Sequence, residues 1–216
     1  AQPCCHLWTA AAMQRGSAGV SAGFKARANR IAVDIRRRMG LQPIDPIDPA
    51  EICRAFDIDL MRLAELGDPP GSHCGIDESC FSAVTVPCAG RTAIVHNCSH
   101  HLWRQRSNIC HELAHCFLGH ECTPPLTSDG ERIHDSGIEA EANFLGGALL
   151  ITNEAAKHIV LDGLLAQAQI LYGVSRPMLV VVLNAWVTLT NDAPFRSRIS
   201  TIRAKSARLR VRRSTL

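Results

Sequence analysis

The spacing of apolar and polar positions changes several times along the chain. From about Lys25 to Met39 the apolar Ile31, Val33 and Ile35 mix with Arg30, Arg36, Arg37 and Arg38, a pattern that predicts a surface helix stopped by Gly40. The run Pro43-Ile44-Asp45-Pro46-Ile47-Asp48-Pro49 is extended by its prolines, and Asp48 then offers an N-cap with Pro49 at the first position of a helix to Ala55. Phe56, Ile58 and Leu60 alternate with Asp57 and Asp59, the signature of a half-buried strand. Ser82 to Val86 and Arg91 to His96 are β-prone and separated by Pro87-Cys88-Ala89-Gly90, which predicts a hairpin.

After His101 the period becomes helical. A helix is expected to Gly119, then a loop from Thr123 to Gly137, a second long helix from Ile138 to Ile151, and a third from Asn153 to about Leu165. Ala166 to Tyr172 and Arg176 to Val187 follow, with Gly173-Val174-Ser175 between them. Strands first and helices afterwards give an α+β class, a small antiparallel sheet or hairpin beside a helical core.

Composition narrows the class. The chain has 216 residues, 46% hydrophobic and 20% charged, the balance of a globular domain rather than a fibrous or disordered chain. The longest apolar run, Met178 to Val187, is interrupted by Asn184 and falls short of a membrane span, so no membrane partner is expected. The net charge of +3 conceals three blocks. Residues 1–38 carry seven Lys/Arg and one acid, residues 39–195 eight and nineteen, and residues 196–216 eight and none. An acidic body with basic ends argues against a uniformly basic nucleic-acid binder, although the tail can contact phosphates non-specifically. The expected organisation is a loose extension over 1–23, a domain over 24–190 and a basic tail over 191–216.

Ten cysteines would suggest a disulfide scaffold in a small secreted chain. This chain is larger, and its first residues lack the basic stretch that precedes the apolar core of a signal peptide, so a cytoplasmic location with reduced thiols is expected. Cys74, Cys80, Cys88 and Cys98 form no CxxC pair, which argues against a zinc ribbon.

The candidate chemistry lies in His111-Glu112-Leu113-Ala114-His115, an HExxH pattern inside a segment already read as helical. Residues four apart share a helix face, so both imidazoles can reach one ion while Glu112 approaches a water from the side. Zinc suits neutral imidazoles in a tetrahedral shell with one place open, which makes one Zn2+ per chain the expected cofactor. The metzincin arrangement needs a glycine at 118 and a histidine at 121, and the chain has Leu118 and Glu121.

The next helix offers Glu139-Ala140-Glu141-Ala142-Asn143. Glu139 shares a face with Ala142 and Asn143, so a carboxylate can ligate and the Asn143 amide can steady a ligand. Glu141 is the rival, but it lies about 200° around the helix, so both cannot point at one ion. Glu139 is preferred, a gluzincin layout. His120, roughly 140° from His115 on the helix wheel, reads as a cap near the helix end. Tyr172, His134 and Arg106 are the weak candidates for stabilising an oxyanion, each read first as structural.

With these residues in order, the chain resembles the ImmA/IrrE family of metallo-endopeptidases over about Ala26 to Leu183. The resemblance rests on Asp48-Pro49, Phe81-Ser82-Ala83-Val84-Thr85-Val86, Ile94-Val95-His96-Asn97, and Arg104-Gln105-Arg106-Ser107-Asn108 leading into His111 to His120. It continues through Glu139 to Leu145, Ala148-Leu149-Leu150 and Tyr172-Gly173-Val174-Ser175. It implies zinc held by His111, His115 and Glu139, with Glu112 as general base. It also implies a helix-turn-helix repressor as substrate, in stress response or mobile-element regulation. The chain departs from the family pattern at Thr152, where proline is usual, and at Gly146 and Gly147, where alanines are usual.

Two alternatives stand beside this. A DNA-binding regulator would use Ala166 to Val187 as a helix-turn-helix, but Met178-Leu179-Val180-Val181-Val182-Leu183 would place apolar side chains against base edges, so that segment reads as a packing helix. A zinc-binding adaptor without peptidase activity would have no use for Glu112.

Overall fold

The computed structural model describes residues 20–66, 81–88, 90–120 and 136–190. In chain order the elements are α1 (Ala22–Arg38), α2 (Pro49–Ala55), β1 (Ile58–Arg62), β2 (Ala83–Cys88), β3 (Arg91–His96), α3 (Leu102–Leu118), α4 (Ser136–Leu150), α5 (Asn153–Leu161), α6 (Ala168–Tyr172) and α7 (Arg176–Thr190), with short 3-10 turns at Leu63–Glu65 and Leu164–Ala166. The class is α+β, as the residue pattern implies.

The sheet is larger than the hairpin alone. Its order is β1-β3-β2, with β2 antiparallel to β3 and β1 parallel to β3. The sheet is therefore mixed, and the hairpin is its antiparallel part. Central β3 buries Ala93, Ile94 and Val95, which is why its apolar residues run consecutively rather than alternating. Cys88 pairs with Arg91, so the strands reach further into the turn than the Pro87-Cys88-Ala89-Gly90 spacing suggests. Pro87 is accommodated because β2 is an edge strand.

Helix α1 begins at Ala22, earlier than its apolar period indicates, because the Ser21 hydroxyl accepts from Phe24 N at 3.2 Å and Phe24 and Val20 are buried. The last part of the extension expected over 1–23 is thus helical from Ala22, and residues 1–19 and the basic tail lie outside the described residues. Arg36 is not on the surface. It is fully buried and donates to three carbonyls, Asp45 O at 3.0 Å, Ala32 O at 3.3 Å and Leu150 O at 3.2 Å. Burial lowers its pKa to about 10, so it remains charged at neutral pH. Those carbonyl contacts fasten the loop after α1 and the carboxyl end of α4 to one side chain.

Helix α2 starts as its sequence predicts, with Asp48 accepting from Ala50 N at 3.1 Å. Thr152, where the resembled family carries proline, caps α5: its hydroxyl accepts from Ala155 N at 3.0 Å and donates to Pro43 O at 2.8 Å. The substitution exchanges a rigid backbone for a cap and a tether. In α7, Met178, Leu179, Val181 and Leu183 are buried, which makes it a packing helix. Among the described residues no helix is long and apolar enough to cross a membrane.

Candidate metal centre

Helix α3 is positioned by both of its ends and by one apolar face. His101 caps its start, its ring nitrogen Nδ1 accepting from Trp103 N at 3.2 Å. Ile109, Cys110, Leu113 and Ala114 are buried in the core, which leaves His111, Glu112 and His115 on the half-buried side. The helix packs most extensively on α4 and also on β2 and β3. Gly146 of α4 lies so near α3 that a Cβ there would stand 3.1 Å from Cys110 O and 3.2 Å from His111 Cα. Glycine in place of the usual alanine thus lets the two helices approach at the turn carrying His111.

That approach gathers three donors. His111 Nε2 and His115 Nε2 are 3.1 Å apart, Glu139 Oε2 is 3.3 Å from His111 Nε2, and Glu139 Oε1 is 3.6 Å from His115 Nε2. All three ligand atoms fall within 4.8 Å of one another. Donors on a tetrahedral zinc ion with bonds of about 2.0–2.2 Å are spaced by roughly 3.3–3.6 Å, so the separations fit with little rearrangement. Two nitrogens and one carboxylate oxygen are the protein donor set of a catalytic zinc site. Glu141 does not enter this cluster. It faces His120, at 3.8 Å from His120 Nε2.

Each functional side chain has a partner that orients it. The Asn143 side chain is buried beside His111 and favours its charged form. Glu112 Oε2 accepts from the Thr85 hydroxyl of β2 at 2.8 Å. Burial pushes the Glu112 carboxyl above the ordinary range, with the His111 charge and the Thr85 hydroxyl pulling it back. Burial also works against a charged His111, but its hydrogen bond to Glu139 and the charges of Glu112 and Glu139 outweigh that and raise it. His115 is held down to about 4 by burial and then by the charge of His111, with Glu139 opposing and His120 adding to the depression.

Spacing does not single out Thr85, and it reads His120 only as a cap at the helix end. No periodicity links residue 85 to residue 112. His120 was detectable in principle, because Gly119 as a C-cap implies a chain reversal to which helix-wheel angles do not apply. Instead of an isolated cap, the His120 ring lies beside His115, Nδ1 to Nδ1 at 3.0 Å.

The oxyanion candidates are engaged elsewhere. The Tyr172 hydroxyl donates to Ile44 O at 2.8 Å, and Arg106 donates to Ile47 O at 2.6 Å and pairs with Asp48 at 3.4 Å. Both tie the loop before α2 to the helical half. His134 lies outside the described residues.

The model of the family Peptidase_M78, described as the IrrE N-terminal-like domain, matches residues 53–184. The chain belongs to this family. The match runs from the end of α2 into α7 and covers all of the donor cluster, and it supports a metallopeptidase type of function. No curated protein and no solved structure matches the chain.

Proposed function

We propose that this member of the IrrE N-terminal-like family is a zinc-dependent endopeptidase that cuts a helix-turn-helix transcriptional repressor in the cytoplasm. The observation that carries the peptidase reading is that Glu112, beside three convergent donors, is separately held by Thr85 Oγ1 at 2.8 Å. A purely structural metal site has no use for such a carboxylate. His111, His115 and Glu139 would hold the zinc, which when bound supplies Lewis acidity toward water and the scissile carbonyl.

The residues of the chain perform the proton work. With Glu112 Oε2 occupied by the Thr85 hydroxyl, Oε1 is the oxygen that takes a proton from the attacking water as the water oxygen bonds to the carbonyl carbon. The same oxygen returns the proton to the amide nitrogen as the C–N bond breaks. Burial of Glu112 keeps bulk water from competing for the proton it carries. The acidic body over residues 39–195, eight Lys/Arg against nineteen acids, favours a basic protein such as a DNA-binding repressor over the nucleic acid itself.

The experiment is metal analysis of the purified chain together with co-expression beside the nearest helix-turn-helix repressor of the same genome. One zinc per chain and repressor cleavage abolished by Glu112→Gln are expected. Zinc without cleavage under every inducing condition would replace this reading by a zinc-binding adaptor.

A further inference from the structure

Two residues that the zinc reading leaves over, His120 and Glu141, meet each other behind His115. Their meeting follows from how α3 ends. Gly119 adopts the left-handed conformation, φ 68°. The amide of Gly119 donates to Cys116 O at 3.2 Å and that of His120 donates to His115 O at 3.1 Å. This pair of bonds is a Schellman motif, in which the second residue past the helix folds back over the last turn. An apolar contact normally closes such a motif. Here the returning residue is His120 and the residue beneath it is His115, their ring centroids 5.0 Å apart and inclined at 68°.

The hydrogen-bond directions are constrained. An imidazole that gives Nε2 to a metal carries its proton on Nδ1, and that proton needs an acceptor. His115 Nδ1 faces His120 Nδ1 at 3.0 Å, so His120 must accept there and carry its own proton on Nε2. His120 Nε2 is turned to Glu141 Oε2, 3.8 Å away. The His120 side chain is only 11% exposed, which shields the contact from water, whereas Glu141 is 40% exposed.

We propose that His120 is a positioning residue, which fixes His115 with Nδ1 protonated and Nε2 directed at the ion, and that Glu141 orients His120 in turn. This rests on the reading of His115 as a zinc ligand. The chain Glu141, His120, His115 gives the second histidine an acceptor for its Nδ1 proton. It also gives the Gly119-His120 pair a role beyond ending a helix.

The test uses the full chain and zinc alone, with affinity measured by competition against a chromophoric chelator. His120→Phe keeps a ring but removes the acceptor, and should weaken zinc binding about 10- to 100-fold. In His120→Asn the amide oxygen can take the place of Nδ1, and should recover most of that loss. The melting temperature of the zinc-free protein should be the same in both variants, which a merely structural role would not give. Glu141→Gln should cost at most about fivefold, as suits a partly exposed charge. Equal zinc affinity of His120→Phe and wild type would overturn the proposal, as would an Asn variant no better than Phe. A long-range 1H–15N spectrum of the zinc-loaded wild type provides a check without mutation: His115 should appear as the Nδ1–H tautomer, and the other tautomer would overturn the proposal. A wild type that binds no zinc would overturn the endopeptidase reading as well, whereas a zinc-binding wild type with an unaffected Phe variant would remove only the role of His120.

Discussion

Gly146→Ala probes how closely α4 must approach α3. The added methyl would stand 3.1 Å from Cys110 O, 3.2 Å from Cys110 C and 3.2 Å from His111 Cα. All three neighbours are backbone, so no side chain can rotate away. Ordinary carbon contacts lie near 3.5–4.0 Å, so α4 must retreat by about 0.3–0.5 Å. Two terms compete. Alanine in place of glycine inside a helix stabilises it by about 1 kcal/mol, and forcing extra volume into a packed contact costs about 1–3 kcal/mol. The expected net change is a loss of about 1 kcal/mol, or a melting temperature lower by about 2–4 °C for a domain of this size. Because the contact adjoins His111 and α4 carries Glu139, the same retreat should lengthen the donor separations and weaken zinc binding. Thermal unfolding of the zinc-free protein and chelator competition measure the two effects separately. A variant that melts 2–4 °C higher and binds zinc unchanged would refute the close-contact argument.

Thr85→Val should leave zinc affinity intact but reduce repressor cleavage about 10- to 100-fold, the equivalent of losing a 1.5–3 kcal/mol hydrogen bond to a charged group, with Thr85→Ser largely restoring it; comparable cleavage by Val and wild type would deny Thr85 its hold on Glu112. Glu139→Gln should weaken zinc binding far more than Glu141→Gln in the same competition assay, and equal losses would void the choice of third ligand. Burial pushes the Cys53 thiol up to about 12 and raises that of Cys110 too, while Cys88 is exposed. Iodoacetamide at pH 8 followed by peptide mapping should therefore modify Cys88 and spare Cys53 and Cys110 until the protein unfolds.

The parts of the site legible in the sequence are those built on one helix or on adjacent helices. His111, Glu112 and His115 follow from a spacing of four, angle along α4 makes Glu139 and Glu141 exclusive, and the short Ala142 and Asn143 on its face favour Glu139. Contacts that cross the fold left no such trace. Thr85 reaches Glu112 through sheet-to-helix packing 27 residues away. The parallel pairing of β1 with β3 depends on which strand occupies the centre, and alternation in β1 alone does not say. Arg36 reads as one of three surface arginines at the end of α1, and only the packing of α1 on α4 shows that it is enclosed. Arg106 and Tyr172 were drawn toward catalysis by their chemistry, whereas their partners are carbonyls and a carboxylate of residues 44–48, which no periodicity connects to them.

The enclosed Arg36 also bears on the donor cluster, through α4. Its bond to Leu150 O holds one end of that helix, and Glu139 stands near the opposite end, eleven residues and about 16 Å along the axis. A tilt of about 2° about Leu150 would displace Glu139 by roughly 0.6 Å. Between the two, Gly146 lies against the Cys110 and His111 backbone and opposes such a tilt. A buried cation at one end and a glycine in the middle thus set where the carboxylate stands beside the imidazoles.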